Sequence, residues 1–260
     1  MSLSTTFDIK NIICSYLYNL KDTINLYNLN KDHQDNVIIT NLYDISYEYK
    51  NKLSQQIIEQ NKYKYVEKLN AYNNKQIKNV NHMKNTLKIL NCSYESNIDQ
   101  NGISELNLIE LDATNNEKII NVNYMKKTLK KLDCGCKSGI DQNGISELNL
   151  IELYVSGNKK IQDVNHMKKT LKILLCSNSS GVDQNGISKL NLIKLCASNN
   201  EKIKNVNHMK QTLKILNCNN LCGIDQKGIS ELNLIEIYSN ANNKIINVDH
   251  MKNTLIYGYL

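Results

Sequence analysis

The chain has 260 residues, 41% of them hydrophobic, enough for one large domain or a small one joined to a repeat array. Asparagine is about one residue in six, proline and tryptophan are absent, and all 32 basic residues are lysine, for a net charge of +7. No apolar run reaches the roughly 18–20 residues of a membrane span. The opening MSLSTTFDIKNII lacks the basic and apolar regions of a secretory signal. The eight cysteines are therefore expected to be reduced, in cytoplasm or nucleus, with no membrane partner.

Residues 1–62 do not repeat, and with six lysines against seven acidic residues they hold none of the positive excess. Ile9, Ile12, Ile13, Tyr16 and Leu17 are spaced as one helical face. Leu20, Ile24, Leu26 and Leu29 suggest a second helix, which Asp22 would cap, and a third is expected from about Tyr47 to Gln60. The phrase I-I-C-S-Y-L (Ile12–Leu17), followed by Asp22 and L-x-x-L-N-K (Leu26–Lys31), resembles the F-box, a three-helix motif that docks onto a Skp1-type adaptor in ubiquitin ligases. The resemblance implies that Ile12, Ile13, Leu17, Leu26 and Leu29 face the adaptor or the motif's own core. The family's Leu-Pro start is replaced by Phe7-Asp8, and its later tryptophan is missing. The alternative is a plain helical cap over the first repeat, which a stacked array needs.

Residues 63–260 repeat. N-H-M-K-N-T-L (Asn81–Leu87) returns four times, and Met83, Met125, Met167, Met209 and Met251 stand 42 residues apart. Inside each unit a phrase L-x-x-[LI]-x-[LC] occurs twice, beginning at Leu87, Leu106, Leu129, Leu148, Leu171, Leu190, Leu213 and Leu232, in alternating steps of 19 and 23. It suits a short strand with its fourth and sixth positions turned inward. An asparagine turn follows the longer phrase, then Ile119, Val122 and Met125 at the spacing of a 3₁₀ or α turn. Strand, turn and return segment every 20-odd residues indicate an α/β leucine-rich-repeat solenoid of nine or ten coils, with a parallel sheet on the concave face and short helices or turns on the convex one. Leu87–Leu106 is similar to the cysteine-containing leucine-rich repeats, which often follow an F-box.

D-Q-N-G-I-S-E-L-N-L-I-E (Asp141–Glu152) places Asp141, Asn143 and Glu152 at calcium-loop positions. Its copies break the pattern: Lys194 stands where the bidentate carboxylate belongs, and Lys227 takes another ligand position. The stretch reads instead as a turn, with Ile140 and Ile145 in the core, Gly144 turning the chain, and Asp141 and Asn143 bonding its backbone. Cys92, Cys134, Cys176 and Cys218 share a strand position in alternate coils, on the order of 10 Å apart, too far for a disulfide. They read as core. His82, His166, His208 and His250, with Tyr124 at the missing rung, read as packing. No nucleophile–base pair, phosphate-cradling loop or zinc pattern stands out, so neither enzymatic activity nor cofactor nor metal is expected.

Two lysine ladders remain: Lys84, Lys126, Lys168, Lys210 and Lys252 on the convex return segments, and Lys88, Lys130, Lys172 and Lys214 at the strand entrances. With no arginine and with interleaved Glu110, Glu152 and Glu236, they read as a solvated face before a nucleic-acid surface. The expected partner surface is the concave sheet. There the apolar third position (Ile89, Leu108 and equivalents) is flanked by Asn91, Glu110, Asp112, Glu152, Tyr154, Leu175, Lys194, Glu236 and Tyr238. The function implied is protein recognition, as substrate receptor of a Skp1-type ligase or, in the alternative, as a scaffold. An open sheet edge at T-L-I-Y-G-Y-L adds self-association as an expectation.

Overall fold

A computed structural model describes residues 39–45 and 47–259. Ile12, Ile13, Leu17, Leu26 and Leu29 lie outside the described residues. The chain divides into two compact units, residues 1–111 and 112–260. In the first, β1 (Asn41–Leu42), β2 (Lys68–Asn70) and β3 (Ile89–Asn91) pair in parallel in chain order. At the division stands β4 (Glu110–Asp112). In the second unit the strands are β5 (Lys131–Asp133), β6 (Glu152–Tyr154), β7 (Ile173–Leu175), β8 (Lys194–Cys196), β9 (Ile215–Asn217), β10 (Glu236–Tyr238) and β11 (Tyr257–Tyr259). Each pairs with the next, all parallel, as the expected α/β repeat fold requires.

The register corrects the expected phrasing. Leu132, Leu153, Leu174, Leu195 and Leu216 stand opposite one another, so each coil is 21 residues and the steps of 19 and 23 were a two-residue misalignment of alternate coils. The partner of Leu87 is Leu108 rather than Leu106. Leu108 is consequently core, fully buried with Leu150, Leu192 and Leu234, and not part of the partner face. Ile109, expected inside, is 42% exposed. The reason is a local break in alternation: the N–H groups of Ile109 and Glu110 both donate to the Lys88 carbonyl, at 2.8 and 3.1 Å. Consecutive amides on one acceptor cannot both belong to an extended strand, whose residues face opposite sides in turn. The same fork recurs at Ile151 and Glu152, Ile193 and Lys194, and Ile235 and Glu236.

The return segments follow the sequence closely. Ile119, Val122 and Met125 are fully buried, and Asn123–Met125 is a 3₁₀ turn. The alternate coils return through Asn143–Ile145 and its copies, except that the first is a helical turn, α3 (Gln100–Ile103). Asp141 accepts from the Gly144 N–H at 2.9 Å, which spends its carboxylate on the turn. Gly144 itself has no unusual φ. A Cβ there would stand 2.2 Å from the Ile120 carbonyl oxygen of the preceding coil, so close approach, and not turning, demands glycine.

Residues expected to form one helix at 47–60 form two, α1 (Tyr47–Lys52) and α2 (Gln55–Ile58), the latter capped by the Ser54 hydroxyl. Gln55 donates to Asn79 O at 2.8 Å and accepts from the Lys78 and Asn79 N–H groups. Gln142, Gln184 and Gln226 bridge successive coils in the same way. Strand-and-return geometry is thus already present at Asn41, upstream of residue 63.

Candidate functional site

Two rows of side chains stand on the outward face of the sheet, on either side of the buried leucines. In the second unit the first row runs Lys131, Glu152, Ile173, Lys194, Ile215, Glu236, and the second Asp133, Tyr154, Leu175, Cys196, Asn217, Tyr238. In the first unit Ile89 lies beside Lys68 and Asn91 beside Asn70. Glu110 and Asp112, the ends of β4, are likewise half-buried. Of the predicted partner residues, Leu108 and its equivalents Leu150, Leu192 and Leu234 turn inward.

A third row was missed. Ile151, Ile193 and Ile235 are 44%, 46% and 37% exposed and alternate with Lys130, Lys172 and Lys214 at the strand entrances. Reading isoleucine as core is the default, and only the forked amides reverse it.

Polar groups on the face are organised. The Tyr154 hydroxyl donates to Glu152 at 2.7 Å, and the Tyr238 hydroxyl donates to Glu236 at 3.0 Å. The Lys131 ammonium sits 5.7 Å from the centre of the Tyr154 ring. Ser177 Oγ lies 3.2 Å from Cys196 Sγ, and the Ser198 hydroxyl donates to Asn217 Oδ1.

Asp133 is held above the ordinary carboxylate range. Burial pushes its pKa up and the charge of Asp112 adds to this, while Thr114, the Gly135 N–H and Lys131 oppose it. A carboxyl that binds its proton more tightly folded than unfolded favours folding below the ordinary carboxylate range, near 3.8, and that contribution is lost as pH rises through the raised value. Asp133→Asn is expected to melt higher than the wild type at pH 7, with the gap closing as pH falls below that range. Melting curves from pH 3 to 7 check this; a gap that ignores pH contradicts it.

Elsewhere the ladders serve the stack. Cys92, Cys134, Cys176 and Cys218 are fully buried, and burial raises the thiol pKa of the last three. His166, His208 and His250 place Nε2 3.1–3.2 Å from the carbonyls of Ile145, Ile187 and Ile229 in the preceding coil. The convex lysines Lys84, Lys126 and Lys210 pair with Glu105, Glu147 and Glu231 at 2.5 Å. Among the described residues, no cluster of three or more His, Cys, Asp or Glu is arranged to hold a metal ion, and no helix is long and apolar enough to cross a membrane.

No family model matches the chain, and no curated protein matches it. Among solved structures it is similar to a chain of the TLR13–ssRNA13 complex, with TM-score 0.55 and 18% identity over 75% of this chain and 32% of that one. It therefore spans about a third of that protein's length. It also matches a chain of the Rad7–Elc1 complex in yeast, with TM-score 0.44 and 15% identity over 76% of this chain and 68% of that one. The TLR13 likeness bears on the fold alone, and it agrees with what the strands and returns display: an α/β leucine-rich-repeat solenoid.

Proposed function

We propose that the chain recognises a protein through the outward face of its sheet and, through its F-box-like start, presents that protein to a Skp1-type ubiquitin-ligase adaptor. The observation that carries the recognition half is the contrast between the two faces. Inward positions are nearly constant (Leu132, Leu153, Leu174, Leu195, Leu216), while the outward second row changes at every rung, from Asp133 to Tyr154, Leu175, Cys196 and Asn217. Half-buried apolar and aromatic side chains rimmed by charge suit a protein interface. The adaptor half rests on the resemblance of Ile12–Lys31. Five regularly spaced convex lysines would have favoured nucleic acid, but three of them are ion-paired.

The full-length chain is compared with Leu17→Asp plus Leu26→Asp and with Tyr154→Ala plus Leu175→Asp, using purified adaptor and proximity labelling in cells. Adaptor binding is expected in the wild type and the face variant and lost in the first variant. Clients are expected to disappear from the face variant alone. Adaptor binding absent from all three folded proteins leaves the scaffold reading, with the N-terminal segment as a cap. Client labelling unchanged in the face variant removes the recognition reading.

A further inference from the structure

We infer that the centre of the outward face docks an acidic amphipathic α-helix of a partner protein. The inference deepens the recognition reading above and rests on it. Between the two Glu–Tyr pairs, the sheet carries Lys172, Lys194 and Lys214 with Ile173, Ile193 and Ile215, and no carboxylate. The neighbouring second-row residues, Leu175, Cys196 and Asn217, are uncharged. Three positive charges thus stand among three outward isoleucines. None of these three lysines has a hydrogen bond or ion pair from its side chain among the described residues, whereas the convex lysines Lys126 and Lys210 are neutralised by glutamates. On the outward face, these three lysines stand together on adjacent rungs with no carboxylate among them.

Spacing selects the partner's conformation. Along the entrance row, lysine and isoleucine alternate rung by rung: Lys172, Ile193, Lys214, Ile235. Rungs of a parallel sheet lie about 4.8 Å apart. A helix laid across the strands presents one side chain per turn of about 5.4 Å, drifting by only about 0.6 Å per rung. An extended peptide presents a side chain to one face every ~6.8 Å and loses register by about 2 Å at each rung. A helix whose facing stripe alternates carboxylate and apolar side chains therefore meets both kinds of rung. An RNA strand would satisfy the lysines and leave Ile173, Ile193 and Ile215 against its phosphates.

The test is a display selection on the full-length protein with three peptide libraries, run beside a labelled oligouridine. Two libraries are helical and differ only in carrying Glu or Lys at the charged stripe positions; the third is extended and proline-containing. Enrichment of the acidic helical library is expected. The best peptide should lose about tenfold in affinity with Lys172→Glu plus Lys214→Glu, and less with the paired Lys→Gln changes, which keep the fold under milder substitution. Its binding should weaken with salt and be abolished by Ile193→Asp. Enrichment of basic or extended peptides overturns the acidic-helix inference and leaves protein recognition standing. Binders that ignore both lysine variants do the same. Oligouridine binding without peptide binders, or no binder at all, overturns both.

Discussion

Asn200→Ala is expected to lower the unfolding free energy by about 3 kcal/mol. Asn200 is fully buried; its Nδ2 donates to the carbonyls of Cys176 (2.9 Å) and Val182 (3.0 Å), and its Oδ1 accepts from the Lys202 N–H (3.1 Å). One side chain therefore satisfies three backbone groups, two of them in the preceding coil. Alanine strands all three, and each unsatisfied buried group costs about 1–3 kcal/mol before relaxation. Asn158 and Asn242 hold the same geometry 42 residues either side. The half-buried Asn165 makes two side-chain bonds, to Asn185 O and from the Lys189 N–H, at a solvent-exposed position where water can replace them. Asn165→Ala should cost about 1 kcal/mol or less. Urea titration of the two variants decides the matter: equal losses would mean that burial of the Asn200 side chain contributes nothing.

Gly186→Ala is expected to cost about 3 kcal/mol, the upper part of the usual range for forced overpacking. A Cβ at this position would lie 1.9 Å from the Gln162 carbonyl oxygen. Separating the coils to make room would stretch the Val164 N–H bond to Gly186 O, now 3.1 Å. Gly157 provides the contrast. Its φ is +72°, but an added Cβ would meet nothing closer than 3.5 Å. The equivalent residues 42 positions before and after are Asn115 and Asn199, at φ 56° and 55°. Gly157→Asn should therefore change stability by no more than about 0.5 kcal/mol, because asparagine tolerates the left-handed region. Thermal melts of the two variants side by side test whether contact or dihedral angle is the constraint at each glycine. A Gly186→Ala protein as stable as wild type would contradict the close packing of returns.

Much of the chain was legible without coordinates. The 42-residue period of Met83, Met125, Met167, Met209 and Met251 revealed the stack, and the buried cysteine ladder followed from it. The asparagine turn was also visible, but not its division of labour. Asn115 takes the positive φ, and the next residue, Asn116, turns inward. Adjacent asparagines look alike in sequence, and burial alone separates them.

The sequence by itself determined that the coils come in two kinds, that the repeated cysteines and methionines form ladders in the core, and where the methionine-bearing returns tighten into a 3₁₀ turn. These are local matters of period and side-chain type. Tertiary structure alone decided the 21-residue register. With leucine at 106, 108 and 111, several alignments bury equally good side chains, and only strand pairing selects one. It also decided that Ile151, Ile193 and Ile235 point outward, because two amides of the next strand's entrance share one carbonyl of the last. And it decided which lysines remain available. Lys126 and Glu147 are 21 residues apart and meet only because coils stack, while the same register sets Lys168 opposite Lys189, a lysine where the other coils place glutamate. Electrostatic pairing depends on distance in space, and in a stacked chain that distance is fixed by register.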